Sequence, residues 1–282
     1  MCISKIGKVK EITSLSNSII KDLRALSQKK NRNREGLFMA EGLKLVINAL
    51  NLGWTIQTLI FSKSKIGNTA IENTAAYTVA NGGFVIKASQ KVMESLTRRD
   101  NPQTVIGIFK QQWHPLEMIK EQVKDVYVAL DRVRDPGNLG TIIRTADAVG
   151  AKGVILIGET TDPFSPETVR ATMGSIFSIP LYRCDESDFL NWSDHFKAMI
   201  VGTHLKGPTD YRSIDFKNGP VILLMGNEEQ GLSDILANHC DKLARIPQSG
   251  CADSLNLAIA TAIMLYEIRR PYLTLEPCET KI

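Results

Sequence analysis

The sequence predicts an α/β fold whose C-terminal part holds a mostly parallel sheet. From residue 126 onward, short apolar runs alternate with segments of helical periodicity, which is the pattern of repeated strand–helix units. The apolar runs are continuous rather than alternating, as in strands buried on both faces. Two of them, at 221–225 and 243–246, lead into polar loops that contain glycine. In open α/β sheets, loops that follow the carboxyl ends of strands are where ligands bind.

The first 112 residues predict a smaller α/β domain with a helical lead. One apolar helical stripe is formed by Leu15, Ile19, Leu23 and Leu26. Behind it, strand patterns cover 36–41, 56–61, 83–87 and 103–109, and helical patterns cover 44–52 and 90–96. We therefore predict a first domain over residues 1–112. Residues 113–125 are interpreted as a linker that leads into a short helix.

The second half repeats strand, loop and helix more strongly. Strands are predicted at 126–130, 153–157, 199–202, 221–225 and 243–246, and helices at 139–149 and 255–270. Gly150 closes the first of these helices, as glycine commonly does. Together these elements predict a second domain over residues 126–282.

The composition excludes several classes of protein. The chain has 282 residues, 43% of them hydrophobic, and no apolar stretch approaches the ~18 residues of a membrane span. Its five cysteines are scattered without a CxxC pair, which argues against a disulfide framework or a zinc site. The dinucleotide GxGxxG motif, the P-loop and the HExxH motif are absent, and we expect no metal. The start lacks the apolar region of a signal peptide, so we expect a cytoplasmic location.

Charge is distributed unevenly along the chain. Residues 1–112 carry 17 Lys and Arg against 7 Asp and Glu, whereas residues 113–282 carry 17 against 23. A basic front half on an acidic back half indicates that the front binds a polyanion. The densest cluster follows the helical lead, and its predicted phosphate contacts are Lys29, Lys30, Arg32 and Arg34. A solvated helix face would give the same run of charge.

Three polar loops carry the residues that indicate chemistry. The loop after the strand at 126–130 leads into a helix that contains Asn138 and Arg144. The other two loops cover 226–232 and 247–254. Ordinary strand-to-helix turns would also use glycine for positive φ, Asn138 and Ser254 as helix caps, and Arg144 on the surface. From the spacing alone, both interpretations stay open.

Taken together, three segments resemble the SpoU-type (TrmH family) RNA 2′-O-ribose methyltransferases of the SPOUT superfamily. The segments are NLGTIIRTADAVGAKGV from Asn138, GNEEQGL at 226–232, and Ile246-Pro247 followed by Ser254-Leu255-Asn256. Their order and spacing match the family across residues 126–270. Residues 36–109, with FMAEG at 38–42, are more loosely similar to the family's L30e-like substrate-binding domain.

The resemblance implies a deep C-terminal trefoil knot that binds S-adenosylmethionine. The knot would involve the loops at 226–232 and 247–256, with the helix at 255–270 tucked through. Knots are otherwise nearly absent from proteins. The positions that would touch or line the cofactor site are Gly226, Ile246, Leu255, Ser254, Asn227 and Thr203.

The same resemblance implies a reacting centre made of Asn138, Arg144, Glu228 and Asn256, completed by the partner protomer of a homodimer. A ribose 2′-hydroxyl must attack the methyl group in line and lose its proton. An ordinary arginine keeps its proton up to a pH of about 12. We therefore expect Arg144 to engage the substrate phosphate and the developing alkoxide, with the general base unassigned. Asn138 would position Arg144 or the ribose.

The expected function is S-adenosylmethionine-dependent methylation of a ribose 2′-hydroxyl, with the basic cluster of the front half binding RNA. The full auxiliary domain favours 23S rRNA as the substrate, and tRNA is the second choice. The alternative is a non-catalytic RNA-binding or ribosome-associated protein that retains the fold. The set of Asn138, Arg144, Glu228 and Asn256 favours the enzyme, because a binding module would not need these residues.

Overall fold

The computed structural model describes residues 7–97, 103–120 and 122–275. They form two compact units that interleave along the chain. The first unit contains the residues up to 112 and the segment 162–178, and the second contains 113–161 and the residues from 179 onward. The chain therefore passes from the second unit into the first and back again.

The N-terminal run of the first unit forms a mixed sheet with helices. Its strands are β1 (Lys8–Ile12), β2 (Leu37–Glu41), β3 (Thr58–Ser62), β4 (Phe84–Ala88) and β5 (Val105–Lys110). Its helices are α1 (Ser18–Ala25), α2 (Lys29–Glu35), α3 (Leu43–Asn51), α4 (Thr69–Ala80) and α5 (Gln90–Thr97). The strand order is β1-β4-β3-β5-β2, in which β1, β4 and β3 are parallel and β5 is antiparallel to both neighbours.

In this part of the chain, the sequence pattern missed β1, α2 and α4. The strand β1 reads KVKEI, exposes its first four residues and pairs only with β4 at the edge of the sheet. An edge strand of this kind needs no apolar run, and its charges hinder pairing with other chains. The helix α4 reads TAIENTAAYTVA, which gives a weak amphipathic pattern. Its start is nevertheless capped, because Asn68 Oδ1 accepts a hydrogen bond from the Ile71 amide.

The later part of the chain forms an all-parallel sheet. The strands are β6 (Val126–Asp131), β7 (Gly153–Ile157), β8 (Leu181–Cys184), β9 (Met199–Thr203), β10 (Thr209–Asp210), β11 (Val221–Met225) and β12 (Lys242–Arg245). The helices are α6 (Pro136–Ala148), α7 (Pro166–Ala171), α8 (Glu186–Ser193), α9 (Asp234–His239) and α10 (Leu257–Arg269). The strand order is β10-β12-β9-β11-β6-β7-β8. The predicted parallel sheet is confirmed, and β6, β7 and β11 are buried along their whole length.

The segment 162–178, which includes α7, departs from the predicted domain boundaries. We predicted residues 126–282 as one domain, but this segment packs in the first unit. The Phe177 ring lies 5.9 Å from that of Phe38, and Trp54 donates from Nε1 to the Phe177 carbonyl at 2.9 Å. Aromatic rings of the segment thus belong to the core of the first unit. The spacing of apolar residues in the sequence does not indicate that this segment packs in the first unit.

Residues 113–125, interpreted above as a linker, belong to the second unit. His114 forms an isolated parallel bridge with Tyr182, and Leu116 and Ile119 are buried in the core of this unit. A single 3-10 turn at Leu116–Met118 stands where a short helix was predicted. The segment has too few apolar positions to show a period, so its burial was not visible in the sequence.

The C-terminal helix α10 packs back on earlier elements of the second unit. β12 lies on one side of β9 and β11 on the other, and α10 returns to pack on α6 and β11. The trefoil knot itself stays a prediction that rests on the resemblance. Across the described residues, no helix combines the length and apolar character needed to cross a membrane.

Candidate active site

Three adjacent strands end at the same edge of the second unit's sheet. β9 lies between β11 and β12 and pairs in parallel with both. Thr203 ends β9, Gly226 directly follows β11, and Ile246 directly follows β12. The structure thus brings three of the predicted cofactor positions together at the carboxyl edge of the sheet, where α/β proteins bind ligands.

The loop after β11 is closed by two glycines. The backbones of Asn227 and Gly231 exchange two hydrogen bonds of 2.9 Å, and Gly231 has a φ of +70°. A Cβ on Gly226 would lie 2.1 Å from the carbonyl carbon of Gly231, so no side chain fits without moving the loop backbone. Gly226 is therefore needed by the loop itself. A Gly226→Val change is expected to disturb the loop as well as any ligand beside it.

Asn227 is buried, and its side chain holds two loops together. Oδ1 accepts hydrogen bonds from the backbone amides of Glu229 and Gln230, and Nδ2 donates to the Arg132 carbonyl at 2.8 Å. These bonds use most of the capacity of the amide group. The Asn227 side chain is therefore engaged within the protein, and a cofactor contact through its backbone stays a prediction. Its side chain links the loop 226–232 to the loop after β6.

The loop after β6 contains a residue pair that sequence reasoning missed. Arg132 has a φ of +50°, which residues other than glycine rarely adopt. Its guanidinium donates to the buried Asp131 at 2.7 and 2.9 Å and to Gln230 Oε1 at 3.1 Å. Asp131 Oδ2 also accepts from the Ser233 amide at 3.1 Å. The sequence does show an acidic and a basic residue directly after an apolar strand. An ordinary solvent-exposed ion pair would give the same pattern, so the sequence did not reveal the role of Asp131 and Arg132.

The helix α6 begins earlier than predicted. Pro136 is its first residue, and Asp135 is the N-cap, whose Oδ1 accepts from the Asn138 amide at 2.6 Å. Proline at the first helical position and aspartate at the cap are strong start signals. Asn138 is therefore not the cap, and its side chain is available to the site.

Glu228, Asn138 and Asn256 form a hydrogen-bonded chain that joins the first turn of α6 to the loops after β11 and β12. Asn138 Nδ2 donates to Glu228 Oε1 at 3.2 Å, and Asn256 Nδ2 donates to Asn138 Oδ1 at 2.9 Å. The Glu228 carboxylate also accepts from the backbone amides of Arg134 and Asp135 at 3.2 and 3.3 Å. The structure thus brings together three of the four predicted catalytic residues.

The surroundings of Glu228 keep its carboxylate ionised. Partial burial raises the pKa, but hydrogen bonds from its own backbone, the Asn138 side chain and the amides of Arg134 and Asp135 outweigh it. The net pKa of Glu228 lies below its ordinary value of 4.5. A carboxylate with a lowered pKa is a weaker base. Glu228 is therefore better suited to orienting Asn138 than to removing a proton.

Arg144 lies on the exposed side of α6, opposite the buried Ile142 and Ile143. Its guanidinium makes no hydrogen bond or ion pair with any residue that the structure describes. The structure therefore does not bond Arg144 to the other three predicted catalytic residues. A guanidinium without a protein partner is available to a phosphate group. Its catalytic role stays a prediction.

The helix α10 begins at Leu257, two residues after the predicted start at 255. Asn256 is its N-cap and accepts from the amides of Ala258 and Ile259. Ser254 is therefore not the cap; it is exposed, and Leu255 is half-buried. Both lie in the loop between β12 and α10, and their contacts with a cofactor stay predictions.

The prediction that Arg32 contacts RNA is wrong. Arg32 is 3% exposed and forms an ion pair with Asp162 at 2.6 Å. A buried and paired guanidinium cannot reach a phosphate. The run of charges in the sequence does not show that Arg32 is the member of α2 that points into the protein. Lys29, Lys30 and Arg34 are exposed and remain candidates.

The described residues offer little to other kinds of chemistry. Burial raises the pKa of the Cys184 and Cys240 thiols to about 12, so both stay protonated near neutral pH. Among the same residues, no group of three or more His, Cys, Asp or Glu side chains is placed to hold a metal ion.

Two family profiles match the chain. The one described as SpoU rRNA Methylase family covers residues 125–266, and the one described as MRM3-like substrate binding domain covers residues 17–107. The first covers half of the chain and includes all four predicted catalytic residues. The chain belongs to the SpoU rRNA methylase family. The resemblance inferred from the three sequence segments is confirmed.

Curated relatives of this SpoU family member match it along most of its length. The 23S rRNA (uridine(2479)-2′-O)-methyltransferase of Streptomyces viridochromogenes is 32% identical, over 87% of this chain and 86% of the relative. The 23S rRNA (guanosine(2553)-2′-O)-methyltransferase RlmP of Bacillus subtilis is 30% identical, over 93% of this chain and 100% of the relative.

Solved structures of similar proteins extend the same likeness to the fold. An rRNA methyltransferase from Sinorhizobium meliloti is 60% identical with a TM-score of 0.90, covering 95% of this chain and 100% of its own. A second structure of that enzyme is described as AdoMet bound, with the same identity and TM-score and a coverage of 94% and 99%. The predicted α/β architecture, with an N-terminal substrate-binding domain before the SpoU domain, is confirmed.

Proposed function

We propose that this protein transfers a methyl group from S-adenosylmethionine to a ribose 2′-hydroxyl of 23S rRNA. The observation that carries the proposal is the chain of Glu228, Asn138 and Asn256, because it fixes the start of α6 and two loops at one edge of the sheet. Membership of the SpoU rRNA methylase family supports the reaction class. The names of the two curated relatives support 23S rRNA over tRNA as the substrate.

The residues at the strand ends fit the cofactor. Residues 248–254 are exposed, and within the described part of the chain none of them takes part in a backbone–backbone hydrogen bond. Their amides and carbonyls are therefore available to a polar ligand, while Ile246 and Leu255 are half-buried apolar neighbours. Together with Thr203 and the Gly226 backbone, they would hold S-adenosylmethionine. When bound, this cofactor supplies an electrophilic methyl group on a sulfonium.

The chain's own residues would orient the acceptor ribose. Arg144, exposed and without a described protein partner, binds the substrate phosphate and stabilises the developing alkoxide. Asn138 uses both atoms of its amide on Glu228 and Asn256, so it acts by fixing the loops around the ribose. We assign Glu228 to orientation, because its lowered pKa makes it a weak base. Correct placement of the two reactants is worth several kcal/mol, up to ~7–11.

The enzyme works as a homodimer through the second unit. On α10, Ile259 and Tyr266 are each 53% exposed and lie seven residues apart on the same face of the helix. A stripe of large exposed apolar side chains is typical of an interaction surface. Light scattering on the purified protein should give twice the chain mass, and the double change Ile259→Asp and Tyr266→Asp should give a monomer. A wild-type monomer would contradict the dimer without affecting the reaction.

The reaction is tested with labelled cofactor. The protein, S-adenosylmethionine carrying a radioactive methyl group, and either a 23S rRNA transcript or tRNA are incubated together. A 2′-O-methyl group blocks alkaline cleavage at the modified nucleotide, so label in an alkali-resistant dinucleotide from 23S rRNA is expected. Label found only in tRNA would show that the substrate is tRNA and not 23S rRNA. Cofactor binding without transfer to either RNA would favour a non-catalytic RNA-binding protein.

A further inference from the structure

A cavity of about 620 Å³ lies wholly within the first unit. The end of β2, the helix α3 and the helix α7 contribute to its walls, and none of the residues discussed for methyl transfer lines it. The side chains that matter for its chemistry are Lys44, Asn48, Asn51, Gln103, Arg170 and Met173. Its size is within the range of small-molecule sites, roughly 300–1,000 Å³.

Two cationic side chains line this cavity. Lys44 lies on α3 and Arg170 on α7, and both are exposed. Within the described residues, neither side chain makes a hydrogen bond or an ion pair. Surface cations of this kind attract phosphate, and arginine does so with two parallel donors.

Met173 presents an exposed apolar side chain and has an unfavourable backbone conformation. It is 66% exposed and has a φ of +52°, a region that residues with a side chain rarely occupy. The next residue, Gly174, has a φ of +107° and packs close to Asn48. Strained residues of this kind cluster at ligand sites. A methionine thioether also makes favourable contacts with aromatic rings, such as those of a nucleobase.

The remaining polar groups favour a whole nucleotide over a simple anion. The amides of Asn48, Asn51 and Gln103 offer both donors and acceptors, as base edges require. The Glu41 carboxylate lines the same cavity, so the cavity is not uniformly cationic. Sequence-specific RNA recognition takes unstacked bases from single-stranded regions and contacts their edges and faces.

We propose that this cavity takes one unpaired nucleotide of the RNA substrate. Its phosphate lies against Lys44 and Arg170, and its base lies against Met173, with the neighbouring amides reading the base edge. The inference rests on the proposed function and deepens it, because it names the residues with which the first unit selects its RNA. Residues of α7, supplied by the segment 162–178, take part in this selection.

The first test removes the two charges. The double variant Lys44→Ala and Arg170→Ala is compared with wild type in filter binding to a 23S rRNA transcript at several salt concentrations. We expect the affinity to fall about tenfold, and the slope of log K against log salt to flatten by up to roughly 0.7–0.9, because the two cations together neutralise one phosphate. The matched control is Lys65→Ala with Lys91→Ala, which removes two exposed charges of the same unit outside the cavity.

The second test removes the apolar contact without charge change. Met173→Gly relieves the positive φ, so the fold should be kept or stabilised. We expect RNA binding to weaken severalfold, while the affinity for S-adenosylmethionine stays the same and thermal unfolding shifts little or upward.

The outcomes separate this inference from the proposed function. Cavity variants that bind RNA as wild type does, or that lose no more affinity than the control pair, would overturn the nucleotide site while wild-type methylation of 23S rRNA stands. Tight binding of inorganic phosphate, abolished in the double variant, would also overturn it in favour of an anion site. Failure of wild type to bind or methylate RNA would instead overturn the proposed function, and the nucleotide site with it.

Discussion

At the scale of single residues, Arg32 is predicted to act in folding and not in RNA binding. Its guanidinium is buried against Asp162 at 2.6 Å. Breaking a buried ion pair from one side leaves the other charge without a partner, so Arg32→Ala should lower the free energy of unfolding by about 3–5 kcal/mol. Arg34→Ala, on the exposed side of α2, should change it by only about 0–1 kcal/mol. If urea denaturation gave the same small loss in the free energy of unfolding for both variants, the ion pair between Arg32 and Asp162 would contribute little.

Glu228 gives a prediction about pH. Because its pKa in the folded protein is lowered, the ionised carboxylate stabilises the fold above the ordinary pKa of 4.5, and that contribution is lost as the pH falls through the lowered value. Wild type should therefore exceed Glu228→Gln in stability near neutral pH, by a small amount because Glu228 is largely exposed. The difference should vanish in acid. Denaturation of both proteins across this range measures it, and a gap that widens in acid would reverse the assigned sign.

Some of these residue roles could be predicted from the sequence and others could not. The family pattern predicts that Glu228, Asn138 and Asn256 lie together, and their hydrogen-bonded chain shows that they do. The burial of Arg32 was not visible, because its partner is 130 residues away and a cation run looks the same whether one member turns inward or not.

At the scale of elements, the segment 162–178 is predicted to stabilise the first unit. The Phe177 ring lies 4.9 Å from Phe109 and 5.1 Å from Trp54. Phe177→Ala should lower the free energy of unfolding by about 3–5 kcal/mol, because a buried aromatic ring is replaced by a cavity. Glu167→Ala, an exposed change on α7 in the same segment, should stay within about 0.5 kcal/mol. If Phe177→Ala were as mild as that control, the segment would contribute little to this core.

Most of the strands could be predicted from the sequence, but the packing of the segment 162–178 in the first unit could not. Continuous apolar runs located β6, β7, β9 and β11 because these strands are buried on both faces. The sequence pattern missed three strands at sheet edges, β1, β8 and β10, because an edge strand needs no apolar run. The placement of 162–178 depends on long-range aromatic packing, for which a single sequence has no period.

At the scale of the whole molecule, the basic front half is predicted to bind RNA through exposed charges of α2. Neutralising Lys29, Lys30 and Arg34 together should weaken RNA binding and flatten its salt dependence by up to roughly 2–3 in log K against log salt. Affinity for S-adenosylmethionine should stay the same, because that site lies in the second unit. The control removes three other exposed lysines, Lys65, Lys91 and Lys120. Identical slopes for both triple variants would mean that α2 is only a solvated face.

The most direct test of the central claim is a nucleotide-resolved map of ribose methylation in 23S rRNA. RNA is taken from cells with the gene, cells without it, and cells without it that carry either the wild-type gene or the Arg144→Ala variant. We predict one 2′-O-methyl group that disappears with the gene and returns with wild type. The variant should restore little of it, because loss of a charge-stabilising group slows transfer by about 10²-fold or more. A 23S rRNA map that is identical in all four strains would contradict the account.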